Sequence, residues 1–259
     1  MSLSVVIVAQ DEERTIGRVL EAVRELADEI VLVDSGSSDR TVEIAESIGA
    51  QCHHQEWLGY AAQKNFALGL ARGDWILSLD ADEIVTPELV SEIRTLFDSG
   101  KASQCDGYKI PRVLYIGDSP VRHGGFYPDA QLRLIKKGAG SFNDRLVHEA
   151  IKTDGPVRSL KSPMHHYAYS DVDGFARAME KYARLSAREF ARNSKFGWHC
   201  SHLNELVHPL WTFLSRYILR GGILDGALGL KLTTIYSDYV RKKIRYLREE
   251  KSYGQKGAH

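Results

Sequence analysis

The sequence predicts an α/β protein with a mostly parallel central sheet, helices on both faces, and a C-terminal helical extension. Three observations carry this. Continuous apolar runs, suited to strands buried on both faces, alternate with helix-spaced segments over the first hundred residues. The strand pattern then becomes irregular from about Gly107. From Asp171 onward nearly every segment reads as helix.

The elements follow in order. "LSVVIVA" (Leu3 to Ala9) is a β-branched run and the first strand. Ile16, Leu20, Val23 and Leu26 give helical spacing between Arg14 and Leu26. "EIVLVD" (Glu29 to Asp34) is the second strand, and "SGSSD" is a loop whose Ser or Asp can cap a helix starting near Arg40. Gly49 ends that helix. A short strand at Gln51 to Gln55, a helix at Ala61 to Ala71 and the strand Asp74 to Leu79 complete the alternation. Pro87 suits the first turn of a helix reaching Phe97. "YKIPRVLYIG" (Tyr108 to Gly117), "AQLRLIKKG" (Ala130 to Gly138) and "PVRSLKSPMHHYAY" each read as a strand, the last bent at Pro163. Helices are expected over about Val172 to Ser194, Leu203 to Leu219 and Leu224 to Glu249, with "SYGQKGAH" as a frayed tail.

With 259 residues, there is room for one large α/β domain plus the extension. A formal net charge of zero supplies no global field for nucleic acid, so no nucleic-acid partner is expected. The three cysteines, Cys52, Cys105 and Cys200, are far apart and form no CxxC, which argues against a disulfide framework or zinc site and fits a reducing cytosol. The N-terminal "MSLSVVIVAQDEE" lacks a basic leader, and no run approaches the roughly 18 to 20 apolar residues that span a bilayer. A cytoplasmic protein is expected, with peripheral contact at the inner face of the membrane left open.

Parallel sheets bind ligands at the carboxyl ends of their strands. Here those ends are Ala9-Gln10-Asp11, Asp34-Ser35-Gly36 and Asp80-Ala81-Asp82, with Glu83 next, so acids gather in one crevice. Clustered carboxylates raise one another's pKa unless something positive sits among them. A hard divalent cation with oxygen ligands meets that need. No Gly-x-Gly-x-x-Gly follows the first strand and no P-loop is present, so a glycine-rich phosphate cradle is excluded.

"VVIVAQDEERTI", "IVLVDSGSSDRTVEIAESIGA" and "AAQKNFALGLARGDWILSLDADE" together resemble a family 2 glycosyltransferase with the GT-A fold, most strongly from Ser2 to Pro87. "YPDAQLRLIKKG", "VHEAI", "HHYAY" and "GGILDGALG" extend a looser resemblance to bacterial lipopolysaccharide core β-glycosyltransferases. The resemblance implies a GT-A domain over residues 1–170 (a nucleotide-sugar half, 1–100, and an acceptor half, 101–170), a helical region at 171–250 and a tail at 251–259. It implies an inverting transfer from a UDP-sugar, glucose first, to a lipid-linked or core-oligosaccharide acceptor, with Mg²⁺ or Mn²⁺. Asp34 would accept from the uracil ring, and Ala9, Asp11 and Glu12 would line the base and ribose, although Gln10-Asp11-Glu12 stands where the family more often has Asn-Glu. Lys64 would sit near the nucleotide, Asp80 near the ribose or metal, and Asp82 on the metal, with His165 or His166 as a further ligand and His166 preferred. An inverting transfer needs a general base outside the sheet. Glu149 in "VHEAI" is the first choice, Asp129 in "YPDAQ" the second, Asp144 the third.

Blander readings exist for each residue taken alone. Asp34 can cap the next helix, Asp82 and Glu83 can open a helix, Lys64 can be solvated, and His148 can bond a backbone carbonyl. The joint placement of Asp34, Asp82 and Glu83 at strand ends favours the site, whereas Lys64 and His148 taken alone read more readily as a solvated and a structural residue. The C-terminal third mixes Trp211, Phe213 and Tyr217 with Arg216, Arg220, Arg241, Lys242, Lys243 and Arg245. It reads either as a helical pair packed on its own chain or as a surface for an anionic membrane. A nucleotidyltransferase, or a non-catalytic nucleotide-sugar binder, are the other readings of the fold.

Overall fold

The computed structural model describes residues 1–143, 150–192 and 201–256. The chain forms two compact units, Met1–Val113 with Pro128–Ala168 and Leu114–Tyr127 with Tyr169–His259. The second unit thus takes in residues 114–127, from the middle of the stretch that sequence reasoning assigned to an acceptor half.

In the first unit, β1 (Leu3–Ala9), α1 (Ile16–Val23), β2 (Glu29–Asp34), α2 (Thr41–Ile48), β3 (Gln51–His54), α3 (Tyr60–Leu70), β4 (Trp75–Asp80), β5 (Glu83–Val85) and α4 (Pro87–Asp98) follow one another. β6 (Gly107–Ile110), β7 (Arg112–Ile116), β8 (Ser119–Val121), β9 (Gln131–Lys136), β10 (Ser141–Phe142), β11 (Ile151–Lys152), β12 (Val157–Ser159) and β13 (Met164–Tyr169) come next. The chain changes unit within β7 and again within β13.

Seven strands form one sheet in the order β12-β6-β9-β4-β1-β2-β3. Neighbours are parallel except at β9, which is antiparallel to both β4 and β6. Because side chains alternate along a strand, the apolar runs feed two cores. Val5, Ile7 and Leu32 pack on one face with Ile16 and Leu20 of α1, while Val6, Val31 and Val33 pack on the other with Ala67 and Leu68 of α3. The doubly wound arrangement read from the sequence is present.

Two strands expected to be continuous are broken. Pro111 separates β6 from β7, and β6 joins the large sheet while β7 does not. Proline brings no N–H to a ladder, although the Pro111 carbonyl accepts from Met164 N at 2.9 Å. Pro163 likewise separates β12 from β13, and β13 pairs antiparallel with β5 instead. The first helix is shorter than its apolar spacing implied, ending at Val23. Gly49 adopts a left-handed φ of 98° and closes α2, as read.

The second unit holds the β7–β8 hairpin, α5 (Val172–Arg192), α6 (His202–Leu214) and α7 (Gly226–Lys256). Ile116, Val121, Phe175 and Leu232 form its core. Leu214 is followed by a π-helical turn, Ser215–Leu219, and a 3₁₀ turn, Gly222–Asp225. α7 runs to Lys256, so most of the segment expected to be a frayed tail is helical.

Candidate active site

The register of the parallel strands levels their carboxyl ends. Ala9 lies opposite Asp34, Asp34 opposite His54, and Val8 opposite Asp80. The order β3-β2-β1-β4 reverses chain direction of travel at β1/β4, which is where open α/β sheets leave a crevice.

The rim at β1 and β2 is laced by short polar side chains. Asp34 is buried, and its carboxylate accepts from Gly36 N at 2.9 Å, Ser37 N at 3.0 Å and Ser37 Oγ at 2.5 Å. It therefore caps its own turn rather than α2, whose first amide, Thr41 N, donates to Asp39 at 2.9 Å. Asp11 has φ 55°, a left-handed conformation that Asp tolerates among non-glycine residues. Its carboxylate accepts from Ser38 N at 2.7 Å while its own N–H donates to Ser37 Oγ at 2.9 Å. Glu12 N donates to Thr41 Oγ1 at 2.7 Å. Burial pushes the Glu12 pKa up, aided by the nearby charge of Asp82 and opposed by a bond from Thr15.

The acids of "DADE" have quite different surroundings. Glu83 is fully buried and accepts from Arg112 Nη1 at 2.7 Å, Arg133 Nη2 at 2.6 Å and Asp80 N at 3.0 Å. Asp80 accepts from Arg133 through Oδ2 and from Lys64 Nζ through Oδ1 at 2.6 Å. Burial opposes ionisation of Asp80, but Arg133 and Lys64 outweigh it and hold its pKa well below the usual range. Arg112 also grips Asp129, with Nε at 3.1 Å, and Asp129 is lowered in turn: burial raises it, Arg112 and Gln131 lower it more. Among the described residues, the carboxylates Asp80, Glu83 and Asp129 are held by Lys64, Arg112 and Arg133, and Asp82 pairs with neither arginine nor lysine.

Among the described residues the buried Asp82 Oδ1 has no hydrogen-bond partner, and Oδ2 lies 3.4 Å from His166 Nε2. The antiparallel pairing of β13 with β5 brings that histidine in, by setting His166 opposite Glu83. Tyr167 N donates to Asp82 O at 2.9 Å and anchors the turn. Burial lowers the His166 pKa, but the bond and charge of Asp82 raise it further. Among the described residues no group of three or more His, Cys, Asp or Glu is arranged to hold a metal. One carboxylate oxygen in need of a partner beside an imidazole fits a cation that takes its other ligands from diphosphate and water.

Each residue of "QKN" has separate work. Gln63 Nε2 donates to Ser35 Oγ at 3.1 Å and Gln55 O at 2.9 Å, Lys64 reaches Asp80, and Asn65 exchanges two bonds with the backbone of Phe142 at 2.7 and 3.0 Å. Beyond Phe142, Asn143 and Ala150 bond to each other, with Ala150 N donating to Asn143 Oδ1 at 3.0 Å. Glu149, Asp144 and His148 lie outside the described residues. Of the other residues singled out in the sequence, the structure gathers Lys64, Asp80, Asp82, Asp129 and His166 around one charge network. Ala9, Asp11, Glu12 and Asp34 form the adjoining rim.

Residues 4–138 match the family model described as Glycosyl transferase family 2. The chain belongs to that family. A lipopolysaccharide core biosynthesis glycosyltransferase, LpsC of Rhizobium meliloti, is 30% identical to this transferase over 75% of its chain and 74% of the relative. An uncharacterized glycosyltransferase of Rickettsia typhi is 28% identical over 95% of this chain and 87% of that one. Among solved structures, S. aureus TarS 1–349 in complex with UDP-GlcNAc aligns over 99% of this chain and 92% of its own at 16% identity and a TM-score of 0.48. Glucosyl-3-phosphoglycerate synthase from Mycobacterium tuberculosis, in complex with Mn²⁺, UDP and phosphoglyceric acid, aligns over 43% of each chain at 26% identity and a TM-score of 0.37.

Arg112 and Arg133 escaped the sequence reading of this glycosyltransferase. Their signal was there: Arg133 interrupts the apolar alternation of "LRLI", and a charge with no surface to reach implies a buried partner.

Proposed function

We propose that this glycosyltransferase is an inverting, metal-assisted hexosyltransferase. It takes its sugar, glucose in the first instance, from a UDP-sugar and delivers it to a lipopolysaccharide inner-core glycan or a related cell-envelope acceptor at the cytoplasmic side of the membrane. The observation that carries the reading is the buried Oδ1 of Asp82, without a hydrogen-bond partner among the described residues, beside His166 at the carboxyl end of the sheet. The kinship with LpsC supports the acceptor class.

Asp82 and His166 would hold the divalent cation, Mn²⁺ or Mg²⁺. When bound, it supplies Lewis-acid neutralisation of the diphosphate leaving group. Asp34, Ala9, Asp11 and Glu12 would meet the uridine. Asp80 would fix Lys64 and Arg133 beside the donor rather than bind metal itself, since both its oxygens are engaged. Glu149 remains the preferred base. Asp129 is disfavoured because Arg112 holds it ionised and occupied, whereas a base needs a free lone pair near the acceptor hydroxyl. Residues 1–100 would form the donor half and 101–170 supply acceptor contacts.

The test is UDP release from a panel of UDP-sugars with Mn²⁺, Mg²⁺ or EDTA, with and without a truncated lipopolysaccharide acceptor. Metal-dependent release from one donor, stimulated by acceptor, is expected. Asp82→Asn should abolish it while the fold, followed by circular dichroism, stays intact. Glu149→Gln should abolish transfer and keep UDP-sugar binding. Full turnover in EDTA would overturn the metal reading, and full turnover by the Glu149 variant would overturn the base.

A further inference from the structure

Helix α6 is built inside out. Asn204, Glu205 and Pro209 are buried, while Leu203, Leu206, Leu210 and Trp211 are 68%, 71%, 62% and 62% exposed. With Val207 and Leu214, also exposed, these fall at i, i+3, i+4, i+7, i+8 and i+11, one continuous apolar stripe. Beyond the helix Leu219 and Leu224 are also exposed, at 70% and 71%. The polar side is fixed inward by specific bonds: Arg245 Nε and Arg248 Nη2 reach the Glu205 carboxylate at 3.0 and 2.6 Å, and Ser237 Oγ donates to Pro209 O at 2.7 Å. The apolar face points out because the polar face is committed to α7.

The charges along the stretch of chain that carries the stripe are one-sided. From Ser201 to Thr234 the chain has two acids, Glu205 and Asp225. Glu205 is the buried acid just described, and Asp225 accepts from His123 N at 2.9 Å and lies 2.8 Å from His123 Nδ1. The exposed charges on this stretch are Arg220 and Lys231.

We propose that the α6 stripe docks on the surface of an anionic phospholipid bilayer, lying in the interface with its leucines and Trp211 below the headgroups and Arg220 and Lys231 among the phosphates. A large apolar patch marks an interaction site. Cations without exposed acids complement anionic lipid, and tryptophan favours the headgroup level. No described helix is long and apolar enough to cross a membrane, so the stripe lies on the surface rather than spanning. A second copy of this chain fits less well, because a two-fold contact through this face would set cations against cations.

Vesicle flotation of the full chain tests this without any catalytic readout, so it fails or succeeds independently of the donor and acceptor. The chain should float with phosphatidylcholine vesicles containing phosphatidylglycerol and far less with phosphatidylcholine alone. Leu206→Glu with Leu210→Glu should weaken binding by roughly tenfold or more per leucine. Arg220→Glu with Lys231→Glu should remove the dependence on phosphatidylglycerol. Both pairs are exposed, so thermal melts should match the parent. Should the leucine pair misfold, brominated phosphatidylglycerol must still quench the parent's fluorescence more than that of Trp211→Phe. No flotation on anionic vesicles, flotation unchanged by the leucine pair, or a dimer that the leucine pair dissociates without any vesicle binding would each overturn the proposal.

Discussion

Arg133 shows how much one buried charge can organise. It stands between Leu132 and Leu134 in β9 and is nearly inaccessible, yet it touches both Asp80 and Glu83. Removing one partner of a buried pair leaves the other desolvated and alone, at a cost of about 3–5 kcal/mol. Arg133→Ala should therefore lower the unfolding free energy by about that amount in urea titration, and Glu83→Gln with Arg133→Met together should recover much of the loss. The sequence made the acid cluster and its need for positive charge plain. It did not assign the cations, since β9 reaches β4 by an antiparallel pairing across more than fifty residues. Cys52 offers a simpler prediction. Burial, helped by Glu46 and Asp34, pushes its thiol up to about 11, so it should react slowly with a disulfide reagent at neutral pH and faster in denaturant.

At the scale of elements, the first hundred residues were legible because their signals are local. A continuous apolar run, a 3.6-residue period and a glycine after Ile48 each specify an element without distant help. The next seventy were not, because Pro111 and Pro163 divide runs that look single, and which sheet receives each half depends on partners far along the chain. Gly49 marks the local rule. At φ 98° a side chain is strained, so Gly49→Ala should cost about 1–2 kcal/mol in the same titration. α6 marks the opposite case, where the sequence read as helix without showing which face was covered. Its attachment should depend on pH. Burial opposes the charge on Glu205, but Arg248 and Arg245 prevail and lower its pKa below 4.5. A lowered acid contributes stability that is complete above its unfolded value and is lost as pH falls through the folded one. Hydrogen exchange in α6 should accelerate as pH is taken below about 4.5, after correction for intrinsic rates, and Glu205→Gln should flatten that change.

At the scale of the whole molecule, ligand linkage gives the broadest prediction. A ligand present at 100 times its dissociation constant stabilises the folded state by about 2.7 kcal/mol. On the proposed function, UDP with Mn²⁺ should raise the melting temperature by several degrees, and more than the sum of either alone, because each would complete the other's coordination. Asp82→Asn should remove the synergy and keep part of the UDP effect. Equal shifts in both proteins would detach Asp82 from the metal.

The interleaving of the two units sets a schedule for a chain made from one end. Residues 114–127 leave the ribosome well before Tyr169, the first residue of the rest of their unit. At about 5–20 residues per second, Val121 and Phe126 wait several seconds for the first residues of that stretch, and longer for Phe175 and Leu232, which complete their core. During synthesis this hairpin is an unfinished apolar surface. A nascent chain stalled near residue 168 should accordingly be bound by a holdase chaperone at this segment, and one released after α7 should not.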